Sequence, residues 1–206
     1  MESLSQLIWY KISNTIRVLW DSARGAEAAQ IVELAVTLPV LMILFVGIYD
    51  FGQAFNIKQK LAGAAREGAR FAANQSTSDL SNASPPSLLA VRDVVDSYLT
   101  ANNVNDLGLA TATPGSPTNW TWTFTGTGAT CVDSGNNTKQ FTMTVNRGFS
   151  YNVTGGGNTV TVEATQVTLS YPYQWQFNRV INLVVGTASY AATSCIVTSA
   201  AMQNLN

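Results

Sequence analysis

Between Glu33 and Asp50 the chain carries sixteen consecutive uncharged residues, and across residues 31–55, IVELAVTLPVLMILFVGIYDFGQAF, nearly every side chain is apolar or neutral. At about 1.5 Å of rise per residue, residues 31–52 make a helix roughly 33 Å long, enough to cross the hydrocarbon core of a bilayer. A helix buried in a soluble core would usually hold a shorter run, broken more often by charges, so the length favours a transmembrane helix. Glu33 and Asp50 lie about 25 Å apart along the axis, which lets each sit near one interface and spares it the costly bilayer centre. Pro39 removes one helical donor and predicts a bend or a loosened turn, which membrane helices tolerate. Gly47 leaves room for a close helix contact.

With 206 residues, 46% hydrophobic and 11% charged, the chain has room for one membrane segment and one compact domain. A net charge of −1, with no clustered excess of Lys and Arg, gives no surface for nucleic acid. The absence of histidine excludes histidine-dependent triads and removes the commonest zinc ligand. No nucleophile elbow, phosphate loop or metal-ligand cluster is visible, and Gly155-Gly156-Gly157-Asn158, between two strand-like runs, reads as a hairpin turn. Neither catalysis nor a cofactor nor a metal is expected. Cys131 and Cys195 both follow the apolar run and lack CxxC spacing. In an oxidising compartment one disulfide is the natural reading, worth roughly 3–4 kcal/mol on chain-entropy grounds; two buried free thiols are the alternative.

Residues 1–30 lack the compact apolar core of a secretory signal. Instead Leu4, Leu7, Ile8, Ile12, Ile16, Leu19 and Trp20 recur at helical spacing. They predict an amphipathic helix on the membrane surface with Trp9 and Trp20 at the interface, or a segment that binds a partner. Arg24-Gly25 breaks that pattern. After the apolar run, strong helix formers continue without proline, predicting one helix from about residue 28 to residue 74. Ala64, Gly68 and Ala72 recur four residues apart, as do Ala65, Ala69 and Ala73, so two adjoining stripes carry little side-chain bulk. Another backbone can approach closely there, in an assembly or in the chain's own domain. The expected organisation is an N-terminal amphipathic segment at 1–30, a transmembrane helix at 31–55, its continuation as a stalk at 56–74 and a head at 75–206.

In the head, residues 75–86 form a polar loop closed by Pro85 and Pro86, and Ser87 is placed to cap a second helix over 87–103. Leu88, Val91, Val94, Val95, Tyr98 and Leu99 give that helix one apolar face, suited to lie on a sheet, with Asp93 and Asp96 on its solvated side. From Asn119 the composition turns to Thr, Val, aromatic residues and Gly. Residues 120–124, 141–145 and 160–164 alternate at period two, 167–173 reads as a further strand, and 180–185 is an apolar stretch leading to 189–192 and a closing strand over 195–198. Turns are signalled at 126–128, 133–137 and 155–158. The fold expected is α+β: a long N-terminal helix, and a second helix packed on a small antiparallel sheet of four or five strands.

Residues 30–73, QIVELAVTLPVLMILFVGIYDFGQAFNIKQKLAGAAREGARFAA, resemble the N-terminal region of TadE-like proteins, pilin-like or pseudopilin components of tight adherence (Tad) pili. Val32-Glu33-Leu34, Leu38-Pro39, Gly47 with Asp50-Phe51-Gly52, and above all the heptapeptide AAREGAR at 64–70 carry the likeness; YPYQW at 171–175 suits the family less specifically. The resemblance implies a bacterial protein anchored in the cytoplasmic membrane, with residues 1–30 as a cytoplasmic leader and its C-terminal domain outside the cytoplasm, helping a pilus to assemble. Its partners would be the lipid bilayer, other pilin-like subunits, the Tad machinery and a prepilin peptidase. Glu33 matches the acidic residue linked to subunit recognition, with Pro39, Asp50 and the Ala64, Gly68, Ala72 stripe as helix-packing positions. Glu33 as fifth mature residue would put the cleavage between Ala28 and Ala29; cleavage after Gly25, the nearest glycine, would make it eighth. Lys11, Arg17 and Arg24 precede the span while Lys58, Lys60, Arg66 and Arg70 follow it, so charge leans slightly against this orientation, which rests on the cysteines and the resemblance.

Two functions from different classes follow. One is a minor pilin or pseudopilin whose helix exchanges lipid for helix contacts. The other is a membrane-tethered adhesion module, with Trp120, Trp122, Tyr171, Tyr173 and Trp175 as candidates for stacking on sugars or surfaces, although alternation puts Trp120 and Trp122 on one face and favours the core for most of them.

Overall fold

The computed structural model describes residues 2–133, 137–176 and 193–204, with side chains from Ala29 onward. The chain divides into two compact units, Met1–Ile48 and Tyr49–Asn206. Helix α1 (Glu2–Ala73) contributes to both. It begins at Glu2 and not near residue 28, and neither Gly25 nor Pro39 ends it. The amphipathic pattern of residues 4–20 concerns side chains outside the described ones.

In the first unit, the large apolar side chains from Ile31 to Ile48 stand exposed on all sides of the helix, with Ile43 and Val46 partly covered. A helix apolar all round belongs in a membrane or in a bundle of helices. The most apolar 18-residue window within 29–73 has a mean hydropathy of 2.5, and none of it is buried.

The second unit, the head, is α+β. It contains the rest of α1, helix α2 (Pro86–Ala101), a single 3-10 turn (Leu109–Thr111) and strands β1 (Thr121–Val132), β2 (Thr138–Gly155), β3 (Asn158–Gln174) and β4 (Thr193–Gln203). Neighbouring strands pair antiparallel in chain order. The outer strands β1 and β4 meet through one bridge, Val132 to Ser194, beside the disulfide Cys131–Cys195. The paired cysteines thus join the two edges of the sheet.

The core lies between helices and sheet. Leu61, Ala64, Ala65, Ala69 and Ala72 of α1 and Leu88, Val91, Val95 and Leu99 of α2 pack with Trp122, Phe124, Phe141, Met143, Val145, Val167 and Leu169. The stretch 56–73, expected as a stalk, therefore supplies core residues of the head.

Four local expectations need correction. Ser87 is not the cap of α2, because Pro85 holds the cap position and Pro86 opens the helix. The Asp79 carboxylate does that work from the preceding loop, accepting from the Ser87 backbone N–H at 2.7 Å and the Ser87 hydroxyl at 2.9 Å. Residues 126–128 are not a turn but a bulge inside β1, with the register shifted between Thr125 and Thr130. The loop before β1 docks there: Thr127 N–H donates to the Leu107 carbonyl at 2.6 Å, and a Cβ on Gly126 would lie 2.6 Å from that same oxygen. Residues 160–164 and 167–173 form one strand, since Thr165-Gln166 between them has no turn chemistry. Trp120 and Trp122 do not share a burial environment: Asn119 and Trp120 have φ of 48° and 58°, so Trp120 precedes the strand and its alternation. The hairpin at 155–158 forms as expected, Gly156 and Gly157 supplying positive φ (60° and 82°) in a two-residue loop. The expected elements at 180–185 and 189–192 lie outside the described residues.

Asp93 pairs with Arg92 and is exposed, whereas Asp96 is half-buried. Burial, then the neighbouring Asp106 and Asp93 charges, raise the Asp96 carboxyl above its ordinary value, with Arg92 opposing. An acid whose pKa rises on folding favours the folded state while protonated; that contribution is present below its unfolded pKa and is lost as pH rises through the higher folded value. Asp96→Asn should therefore raise the urea midpoint at about pH 7 and leave it nearly unchanged at about pH 3, where the acid is protonated in both states. Equal shifts at the two pH values would contradict this assignment.

Candidate functional site

The residues singled out along α1 fall into two environments. In the first unit, Glu33 and Pro39 are exposed, as is Ala29; the surroundings of Gly25 and of the Ala28 side chain lie outside those described. The Thr37 hydroxyl donates to the Glu33 carbonyl at 2.8 Å, so this polar group in an apolar helix is satisfied within the helix itself. Among the described residues the Glu33 carboxylate has no ion-pair partner.

Within the head, Asp50 is 1% exposed. The Tyr173 hydroxyl, from the end of β3, donates to Asp50 Oδ1 at 2.6 Å and lies 3.2 Å from the Asp50 carbonyl. A buried carboxylate needs such donors, and a phenol is a short-range one that adds no charge. Burial, then the hydrogen bond to Asp50 and its charge, push the Tyr173 phenol well above its usual range, which keeps it protonated as the donor. Around this pair is an aromatic cluster: Tyr173 and Trp175 meet edge to face at 5.0 Å, Trp175 lies 6.0 Å from Phe51, and Phe51 lies 6.2 Å from Phe55. Tyr49, Phe51 and Phe55 are exposed. Aromatic residues at the end of an apolar run are the composition of a membrane–water interface.

Farther along, Ala64, Gly68 and Ala72 are buried against the head's own elements. A Cβ on Gly68 would lie 2.6 Å from Val95 Cγ2 and 3.6 Å from Val167 Cγ1, and one on Gly63 would lie 2.2 Å from the Tyr98 hydroxyl oxygen. The small residues admit α2 and β3 of the same chain.

One helix therefore combines an all-round apolar stretch with an acid near its start, a buried acid where the apolar run ends, and a small-residue seam. Residues 28–70 match the family model of the TadE-like proteins. The TadE-like segment contains Glu33, Pro39, Asp50, Ala64 and Gly68 and ends before Ala72 and before every strand. It supports a component associated with a Tad pilus. No curated protein and no solved structure matches the chain.

Outside the TadE-like segment, the head holds two residues that sequence reasoning missed. Tyr173 looks in the sequence like one more stacking candidate; its pairing with Asp50, 123 residues away, has no local signature. Arg147 sits where β2 shifts register against β3 and reaches the C-terminal end of α1, donating from Nη1 to the Ala72 carbonyl and from Nη2 to the Gln75 carbonyl at 2.8 Å. The available signal was a lone arginine before glycine in an otherwise alternating strand. Burial lowers the Arg147 pKa and the nearby Asp79 opposes that shift. Of the five aromatics weighed for stacking, Trp122, Tyr171 and Tyr173 are buried, Trp175 is partly so, and Trp120 is 61% exposed.

Proposed function

We propose that this protein is a membrane-anchored minor pilin or pseudopilin that takes part in assembling a Tad-type pilus, single-pass in a bacterial cytoplasmic membrane with its head outside the cytoplasm. The match over residues 28–70 carries the reading. The exposed apolar helix supports it, since a surface apolar all round exchanges lipid contacts for helix contacts without loss of burial. The disulfide supports a head in an oxidising compartment. In this reading the chain has a structural role and no catalytic one, and Glu33 sets the register between subunits, because an unpaired carboxylate in an apolar bundle is costly until a partner's donor meets it.

Glu33→Ala, in a strain whose piliation needs this protein, is expected to reduce surface pili severalfold while the head keeps its urea midpoint. Normal piliation would remove Glu33 from subunit recognition. Amino-terminal sequencing of protein from membranes and from sheared pili checks the processing: a start at Ala26 or Ala29 supports a prepilin peptidase step, and full-length protein in both supports an uncleaved anchor.

A further inference from the structure

On the head, a cleft of about 430 Å³ opens between the loop after α1, the residues before β1 and the β2–β3 ribbon. One wall is the indole of Trp120, exposed although its backbone is held in the left-handed region at φ 58°. That conformation is strained for a bulky residue, and a ring this exposed recovers little of the cost by burial. Neighbouring residues impose it: Arg147 N–H donates to the Trp120 carbonyl at 2.9 Å, and Gly148 lies so close that a Cβ there would be 3.1 Å from Trp120 Cβ. The strain holds an aromatic face open to solvent.

The β2–β3 ribbon contributes a polar lining through Ser150, Thr161 and Glu163. Ser150 stands directly across from Glu163, and Thr161 across from Asn152, to which its hydroxyl donates at 2.9 Å. Glu163 is exposed and, among the described residues, has no ion pair. The cation beneath is not offered to a ligand: both Arg147 terminal nitrogens bind carbonyls and Nε is buried without an acceptor. The accessible charge in the cleft is thus a carboxylate, which disfavours phosphates and acidic sugars. An aromatic platform in one cleft with hydroxyls and one carboxylate suits a pyranose, whose C–H face stacks while its hydroxyls are hydrogen-bonded from the side. The volume is at the small end for ligand sites and holds one or two rings.

We propose that this cleft binds a neutral sugar ring, with Trp120 as the stacking platform and Glu163 and Ser150 as hydroxyl partners. The function goes beyond pilus assembly and is independent of it. The test is saturation-transfer NMR on the full-length protein in a detergent without a sugar headgroup. The probes are methyl β-glucoside, methyl α-mannoside, galactose and N-acetylglucosamine, with glucuronate as the acidic comparison. Transfer to the ring C–H protons of at least one neutral probe is expected, with Kd on the order of 1 mM. Trp120→Ala should abolish it. Glu163→Gln, which keeps the shape of the side chain and decides the matter if Trp120→Ala does not fold, should weaken it about fivefold or more. No transfer from any neutral probe at about 10 mM, transfer unchanged in either folded variant, or preference for glucuronate would overturn the proposal.

Discussion

Replacing Cys131 and Cys195 together by serine is expected to lower the stability of the head by about 4 kcal/mol, a loss of roughly 10 °C in Tm for a unit of this size. The bond spans 64 residues of sequence, so its removal frees a long loop in the unfolded chain. Its position adds a second reason. β1 and β4 are the outer strands of the sheet and share one bridge, Val132 to Ser194, immediately beside the cysteines. Among the described residues, every other pairing in the sheet ladder runs through β2 and β3. Without the covalent link, the β1 and β4 edges lose their main tie at that end, and exposed strand edges invite pairing with other chains. Urea denaturation of the full-length protein, followed by tryptophan fluorescence, should show a lower midpoint with the slope little changed, and dithiothreitol should reproduce the result in wild type. A loss below about 1 kcal/mol would mean that the ladder alone fixes the edges.

The apolar run declared itself because it is long enough to cross a bilayer and its composition is unbroken, and the period-two runs declared strands for an equally local reason. The seam at Ala64, Gly68 and Ala72 was legible as a place of close approach, but small side chains do not specify what approaches. Here Val95, Val167 and Tyr98 do. Residues 126–128 showed the glycines of a turn, yet a bulge against the Leu107 carbonyl uses the same residues, and only the docking of a distant loop decides between them. Trp120 broke its strand pattern because Asn119 and Trp120 turn left-handed before the ladder starts, a backbone choice that alternation cannot register. The sequence places Asp50 only as an acid at the end of the apolar run. Its partner arrives from β3 and depends on the register of the whole sheet.

Arg147→Ala is expected to cost about 3 kcal/mol, from two charge-assisted hydrogen bonds worth roughly 1.5 kcal/mol each. The side chain is 8% exposed and joins β2 to the end of α1 through the Ala72 and Gln75 carbonyls. Ala72 lies in the last turn of α1, at the negative end of its dipole, and its carbonyl also accepts from the Gln75 N–H at 3.0 Å; the Gln75 carbonyl lies just beyond the helix. The guanidinium fork adds a charged donor to each, at the expense of burying a cation that Asp79 partly offsets. Arg147→Met keeps much of the apolar stem and removes the donors, so it should lose nearly as much as alanine if the hydrogen bonds dominate, and far less if packing does. Arg147→Lys should recover only part, because a single ammonium does not bridge two carbonyls with fork geometry. The backbone N–H of residue 147 also fixes the Trp120 carbonyl, and a side-chain substitution leaves that bond in place. Stability and the setting of Trp120 should therefore separate: urea midpoints fall in the order Arg, Lys, Met, Ala, while the left-handed backbone at Trp120 persists in every variant that folds. A methionine variant as stable as wild type would reduce Arg147 to a packing residue and leave the end of α1 to be held by the loop alone.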